Sequence, residues 1–158
     1  MSDQVERNKA NFKRFQQEVI VGGDFSLLPE LMAPEMKVHR SANDSMVKLE
    51  GKTIPENRVW THDQFIKGYQ AAIGGAEDHR RTIEEIYGEG DVVCAKWTIE
   101  RRHSDDRLGV ASDQLIRSTE VGFIRFDDQG RMIEGWFMLD PLDIYEQAGA
   151  KVTIAVGA

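Results

Sequence analysis

An α+β fold, with helices first and an antiparallel sheet after them, is what this chain of 158 residues predicts. Two patterns carry that prediction. Apolar residues recur at helical spacing up to residue 73, and from residue 79 they alternate with polar ones in period two. Turn signals, "GEGD" at 88–91 and Asp128-Gln129-Gly130, separate the alternating runs and pair them as hairpins. Helices and strands segregated this way pack as a curved sheet wrapped over the helices.

The first helix is read in "VERNKANFKRFQQEVIVGG", where Val5, Phe12, Phe15 and Val19 share a face, Ile20 lies beside them, and Gly22-Gly23 stop the run. "DFSLLPELMAP" predicts a short second helix burying Leu27, Leu28, Leu31 and Met32. Pro29 demands that it start late, with Ser26 as its cap. "EMKVHR" predicts a short strand that delivers His39, and residues 40–60 read as a long irregular loop. Thr61 and Gln64 have the spacing of a capping box; the helix behind them carries Phe65, Ile66, Tyr69, Ala72 and Ile73 on one face and ends at Gly74-Gly75.

Two hairpins follow, "RRTIEEIYGEGDVVCAKWTIERRH" and "LIRSTEVGFIRFDDQGRMIEGWFMLD". Asp140-Pro141 then opens a last short helix. Residues 1–158 are read as one domain with its core at about 4–149. The apolar tail 150–158 contains "VTIAV", which can add a strand to a sheet edge.

Composition excludes several classes. With 27 acidic against 20 basic residues, net charge −7, and no basic stretch interleaved with aromatics, no nucleic-acid partner is expected. "HRR" at 79–81 and "ERRH" at 100–103 read as solvated strand edges. The single Cys94 excludes an internal disulfide, reads as a small packing residue and fits a reduced, cytoplasmic setting. The N-terminus lacks an apolar run and no stretch reaches transmembrane length, so neither a signal peptide nor a membrane partner is expected. No histidine has metal-ligand spacing with another His or an acid, and the glycine pairs are turns rather than phosphate loops, so neither a metal nor a cofactor is expected.

Three phrases, "FQQEVIVGGDFSLLPELMAPEMKVH", "GEGDVVCAKWTIERRH" and "FIRFDDQGRMIEGWFMLDPLDIYEQAG", taken in this order and at these separations, resemble the SnoaL-like polyketide cyclase branch of the nuclear-transport-factor-like superfamily. The resemblance covers about residues 4–149. It implies a cone-shaped fold, three N-terminal helices packed in a curved antiparallel sheet, with an interior that holds a small hydrophobic molecule. It also implies cofactor-free acid/base chemistry of the isomerase, dehydratase or cyclase (lyase) type. The superfamily includes members without chemistry, so a non-catalytic ligand-binding or assembly module is the alternative. The family's last strand usually places a carboxylate immediately after its tryptophan, helped by a polar residue on the neighbouring strand. Those positions fall on Phe137 and Gly122, a departure from the pattern.

Strand parity ranks the remaining candidates. If Phe137 faces the interior, so do Ile133, Gly135 and Leu139, which puts Asp140 on the opposite face. Asp140 then reads either as an acid/base or as the N-cap of the Pro141 helix, and its context favours the cap. If Gly122 faces inward, Glu120 shares its face. It reads either as a general base whose burial disfavours its charge, or as a strand-end carboxylate paired with Arg117 or Arg101. His103 continues the buried face of its strand as a proton shuttle or a loop-anchoring polar residue. Trp97, Phe137, Tyr69 and Phe15, with Gly122 and His39, are the candidate ligand contacts. On the other face, Met132, Trp136 and Met138 with Val121 and Phe123 leave apolar surface that a second copy of the chain would cover, predicting a homodimer.

Overall fold

The N-terminal apolar stripe forms a helix as its spacing predicts. In the computed structural model, which describes residues 3–40, 58–73, 78–102 and 114–149 together with 151 and 153, helix α1 (Asp3–Arg14) buries Val5 and Phe12. Asp3 and Glu6 in its first turn and Lys13 and Arg14 in its last complement its dipole. From Phe15 to Val21 the same helix widens into a π-helix, and Phe15, Gln16, Val19 and Ile20 are all buried there. Gly22 donates its N–H back to Gln17, and Gly23, at φ +72°, turns the chain away.

The second helix starts late, but its entry differs in detail from the sequence expectation. Asp24, not Ser26, is the cap: its Oδ1 accepts from the Ser26 N–H at 3.1 Å and from the Ser26 hydroxyl at 2.5 Å, closing a 3-10 turn at Phe25–Leu27. Helix α2 (Leu28–Leu31) follows with Pro29 in its first turn, where no backbone donor is missed. Strand β1 (Met32–Arg40) begins directly behind it. The expected loop over 40–60 ends early, because Val59–Thr61 form strand β2 against residues 35–37 of β1. Helix α3 (His62–Ile73) carries the reciprocal box: Thr61 N–H donates to Gln64 Oε1 at 3.0 Å, and Gln64 N–H donates to Thr61 Oγ1 at 3.3 Å.

Strands β3 (Arg80–Glu89) and β4 (Val92–Arg102) make the first hairpin, turning at Gly90 with φ +59°. Strands β5 (Leu115–Phe126) and β6 (Met132–Leu139) make the second. Its turn is tied by Asp127, whose Oδ1 accepts from the N–H groups of Gln129 and Arg131, both at 2.9 Å. Asn11 and Arg7 of α1 donate to the Gly130 and Asp128 carbonyls, docking the helix on this turn. Helix α4 (Pro141–Gln147) folds back on β5, where the Gln147 amide brackets the Arg117 backbone at 2.7 and 3.0 Å.

The six strands form one sheet in the order β2-β1-β6-β5-β4-β3. All neighbours are antiparallel except β1 and β6, which run parallel, so the curved antiparallel sheet expected from the sequence carries one parallel pair. Strand β1 enters from a helix and not from a hairpin, so no tight turn forces it to oppose β6.

The register shift between Met32 and Lys37, where β1 meets β6, and two more along the sheet affect which side chains face the helices. Between Ile83 and Glu85 the β3–β4 register slips by one, leaving Glu84 and Glu85 both exposed and turning Arg81 and Ile83 to the same side as Ile86. Between Arg125 and Phe126 the β5–β6 register also slips, and Met132 turns inward to 1% exposure. Met132 therefore belongs to the core, not to the outer face where simple alternation puts it. Trp97, fully buried, centres that core, 5.4 Å from Phe12 and 6.3 Å from Phe137 between ring centroids. Among the described residues no helix is long and apolar enough to cross a membrane. The "VTIAV" tail lies almost wholly outside the described residues.

Candidate ligand cavity and its buried carboxylate

The inner face of the sheet and the helical layer leave a cavity of about 200 Å³ between them. An apolar cavity of about 150 Å³ accommodates benzene, so this one has room for a ring with a short substituent. Phe15 and Ile20 of the π-helical segment, Met36 and Val38 of β1, Phe65 of α3 and Phe137 of β6 make the apolar wall. Trp60 of β2 and Tyr69 of α3 complete it. The Tyr69 hydroxyl donates to the Ile20 carbonyl, and burial holds its phenol above the usual pKa.

One end of the cavity is polar. Glu120 is 1% exposed, turned inward by the unbroken alternation of β5. Arg40, the last residue of β1, donates from Nη2 to Glu120 Oε1 at 2.8 Å. Its guanidinium also lies 5.4 Å from the centroid of the Phe137 ring. Arg81 reaches the other oxygen less closely, with Nη1 3.9 Å from Glu120 Oε2, and donates from the same nitrogen to the buried Gln16 Oε1 at 2.8 Å. Gln17 fixes the strand from behind by donating to the Arg81 carbonyl at 2.8 Å.

The electrostatics follow from this packing. Burial pushes the Arg81 guanidinium down to about 10; Glu120 opposes that shift, while Arg40 and Arg101 add to it. Beside it, burial and then the charges of Arg81 and Arg101 push the His79 imidazole down to about 4, so it is neutral at pH 7. Its Nε2 accepts from Arg81 Nε at 3.4 Å.

The sequence candidates divide sharply. Glu120, Phe137, Tyr69 and Phe15 meet at the cavity. Trp97 does not line it: the indole lies beneath, packed on Gly122, where an added Cβ would come within 2.8 Å of the ring. Gly122 is thus the clearance for Trp97 and not a ligand contact. Trp97 Nε1 has no hydrogen-bond partner, and neither do the side-chain amide atoms of Asn8, which is also fully buried.

His39 is corrected as well. It stands on the outer face of β1, its Nε2 3.0 Å from Glu134 Oε1 and its ring stacked on Trp136 at 4.9 Å. Asp140 also lies away from the cavity; its carboxylate accepts from the Leu142 N–H at 2.9 Å and the Asp143 N–H at 3.5 Å as the cap of α4. His103 lies outside the described residues.

Arg40, Arg81 and Gln16 are the contributors that sequence reasoning missed. Glu120 is arginine-paired, but not to Arg117 or Arg101. Arg81 stands in "HRR", whose sequence reads as a solvated edge, yet its side chain is only 10% exposed. The bulge at Glu84 inverts the parity of β3, and no local signal announces it. Among the described residues, no group of three or more His, Cys, Asp or Glu is arranged to hold a metal ion.

Comparison with known proteins gives a consistent family. Residues 10–148 match the profile of the SnoaL-like polyketide cyclases. Among solved structures, a "putative polyketide cyclase" from Acidithiobacillus ferrooxidans superposes with a TM-score of 0.75 at 21% identity, over 94% of this chain and 98% of that one. IdmH from Streptomyces antibioticus, described in the same words, gives 0.73 at 21% identity over 90% and 99%. AclR from Streptomyces galilaeus, a "putative hydroxylase", gives 0.68 at 15% identity over 92% and 97%. At such identities the superpositions show a shared fold. No curated protein matches the sequence.

Proposed function

The chain belongs to the SnoaL-like polyketide cyclase family, and from that membership we propose that it binds a small, ring-bearing carbonyl compound and abstracts a proton from the carbon beside the carbonyl. One observation carries this reading: Glu120, the one carboxylate among the described residues that line the cavity, is buried at its polar end and faces an apolar wall. Glu120 is the general base. Arg40 holds its Oε1 and leaves Oε2 the freer of the two oxygens, since Arg81 stands 3.9 Å from it. Guanidinium N–H donors at the same end favour the oxyanion of the enolate that forms. Isomerisation, dehydration and ring closure all begin with this step, and none of its parts is a cofactor.

The family's usual carboxylate position holds Phe137, so the base has moved to another strand. The test needs no natural substrate. With 4-phenyl-2-butanone in D₂O, the protein should accelerate exchange of the α-protons above the buffer rate, as followed by NMR. Glu120→Gln should return exchange to the buffer rate while leaving binding of the ketone within about twofold. Equal exchange by wild type and variant removes Glu120 from the chemistry and leaves a binding module, the reading favoured by the filling of the family's two polar positions with Phe137 and the glycine under Trp97.

The outer face supports a second copy of the chain. Tyr87, Cys94, Phe123, Trp136 and His39 form one row across five strands, with Tyr87 63% and Phe123 43% exposed. Homodimerisation through this row predicts a dimeric mass by light scattering; a monomer at high concentration excludes it. A reduced, cytoplasmic setting accords with the free Cys94.

A further inference from the structure

The geometry points to a ligand that carries its own anionic group, a cyclic or aromatic keto acid, with its carboxylate seated between Arg81 and Arg40 at the polar end of the cavity. The inference rests on the cavity being the ligand site, and not on Glu120 being the base.

Charge balance is the first argument. Among the described residues that line the cavity, the ionised groups are two arginines and one glutamate, a net positive charge in a chain whose overall charge is −7. Arg40 has the close contact with that carboxylate, at 2.8 Å, and Arg81 is left with the long one, at 3.9 Å. The side-chain groups that Arg81 does meet closely, Gln16 Oε1 at 2.8 Å and His79 Nε2 at 3.4 Å, are neutral acceptors. A guanidinium with five donors, largely buried and facing mostly neutral partners, is under-compensated. The depressed pKa of Arg81 has the same origin, since burial outweighs what Glu120 returns.

Geometry is the second argument. Arg81 is held rigid: Gln17 anchors its backbone and Gln16 one of its nitrogens, so its fork is presented to the cavity without further ordering. A carboxylate is the planar, two-oxygen partner that such a fork takes best. Uptake also has a consequence for Glu120. The incoming anion competes for both arginines and so loosens the grip on the resident carboxylate as the substrate arrives.

The test uses three matched probes at pH 7 and constant salt: 3-phenylpropanoate, its methyl ester and its amide, with affinities from calorimetry. Wild type should bind the acid about tenfold more tightly than the ester or the amide, the margin of a charge-assisted over a neutral hydrogen bond. Arg81→Met should abolish that preference and keep ester binding. Glu120→Gln, which removes the competing anion and needs no change at Arg81, should strengthen acid binding several-fold and leave the ester unchanged. If wild type binds the ester as tightly as the acid, the anion site is refuted, while α-proton exchange still decides the role of Glu120. If none of the probes binds, the cavity reading falls and the anion site with it. A preference for the acid without any α-proton exchange upholds the anion site and overturns the proposed chemistry.

Discussion

Arg40 on β1 and Glu120 on β5 meet at 2.8 Å across the intervening strand β6. The contact spans 80 residues of sequence and joins an end of the sheet that no hairpin reaches. It makes the polar end of the cavity a tertiary construction, assembled only when β1 pairs with β6.

Breaking this pair has a defined cost. Removing one partner of a buried ion pair typically costs about 3–5 kcal/mol, and Arg81 as a second cation lowers the expectation for Arg40→Met to about 2–3 kcal/mol. Combined with Glu120→Gln, the loss should be less than the sum of the two single losses by at least about 1 kcal/mol in urea titrations. Strict additivity would show that the pair contributes no coupling.

Gly122→Ala should destabilise by about 1–3 kcal/mol, the usual penalty for forcing volume into a packed core. The new methyl would lie 2.8 Å from the Trp97 ring and 3.2 Å from Ile124. Near-ultraviolet circular dichroism should report the tilted indole. A change below about 0.5 kcal/mol would mean that Trp97 yields freely.

Asp140→Ala should cost about 1 kcal/mol, as loss of an N-cap does, whereas Asp140→Asn should be close to neutral because asparagine caps equally well. Neither should alter α-proton exchange. An Asn variant that folds normally but loses exchange would restore Asp140 as an acid/base.

His79 predicts a particular acid limb. Its folded pKa is held down to about 4 against an ordinary value of 6.5. Between those values the unfolded chain binds the extra proton, so stability falls as pH drops through that window and levels off for this group below about 4. His79→Asn should therefore show a smaller loss of urea midpoint between pH 7 and 4.5 than wild type. Parallel curves would exclude the histidine as a source of acid lability.

Much of the architecture is legible in the sequence because it is locally encoded. The capping box at Thr61 and Gln64, the Asp140 cap and both hairpins follow from spacing alone; alternation puts Glu120 on the face of Gly122, and the family resemblance, which turns Gly122 inward, supplies the side on which Glu120 is buried. The partners of Glu120 are not legible. Arg40 arrives through a parallel pairing that no turn specifies, and Arg81 through a one-residue slip that reverses its strand's parity. Trp97 reads as a ligand contact because a buried aromatic on the correct face lines a hollow or fills it with the same sequence pattern; Gly122 opposite its neighbour decides for filling.

The widened winding at Phe15–Val21 has a consequence for length variation in this region. A wide turn is how a helix takes up one extra residue without turning its flanks out of register. Deleting a single residue there would let the segment return to ordinary α winding with Phe12 upstream and the Gly22-Gly23 stop downstream close to their present orientation. What would change is the widened face itself, which sets Phe15 and Gln16 at the cavity and Gln16 against Arg81, so a chain one residue shorter here should keep its fold and lose the amide that meets that guanidinium.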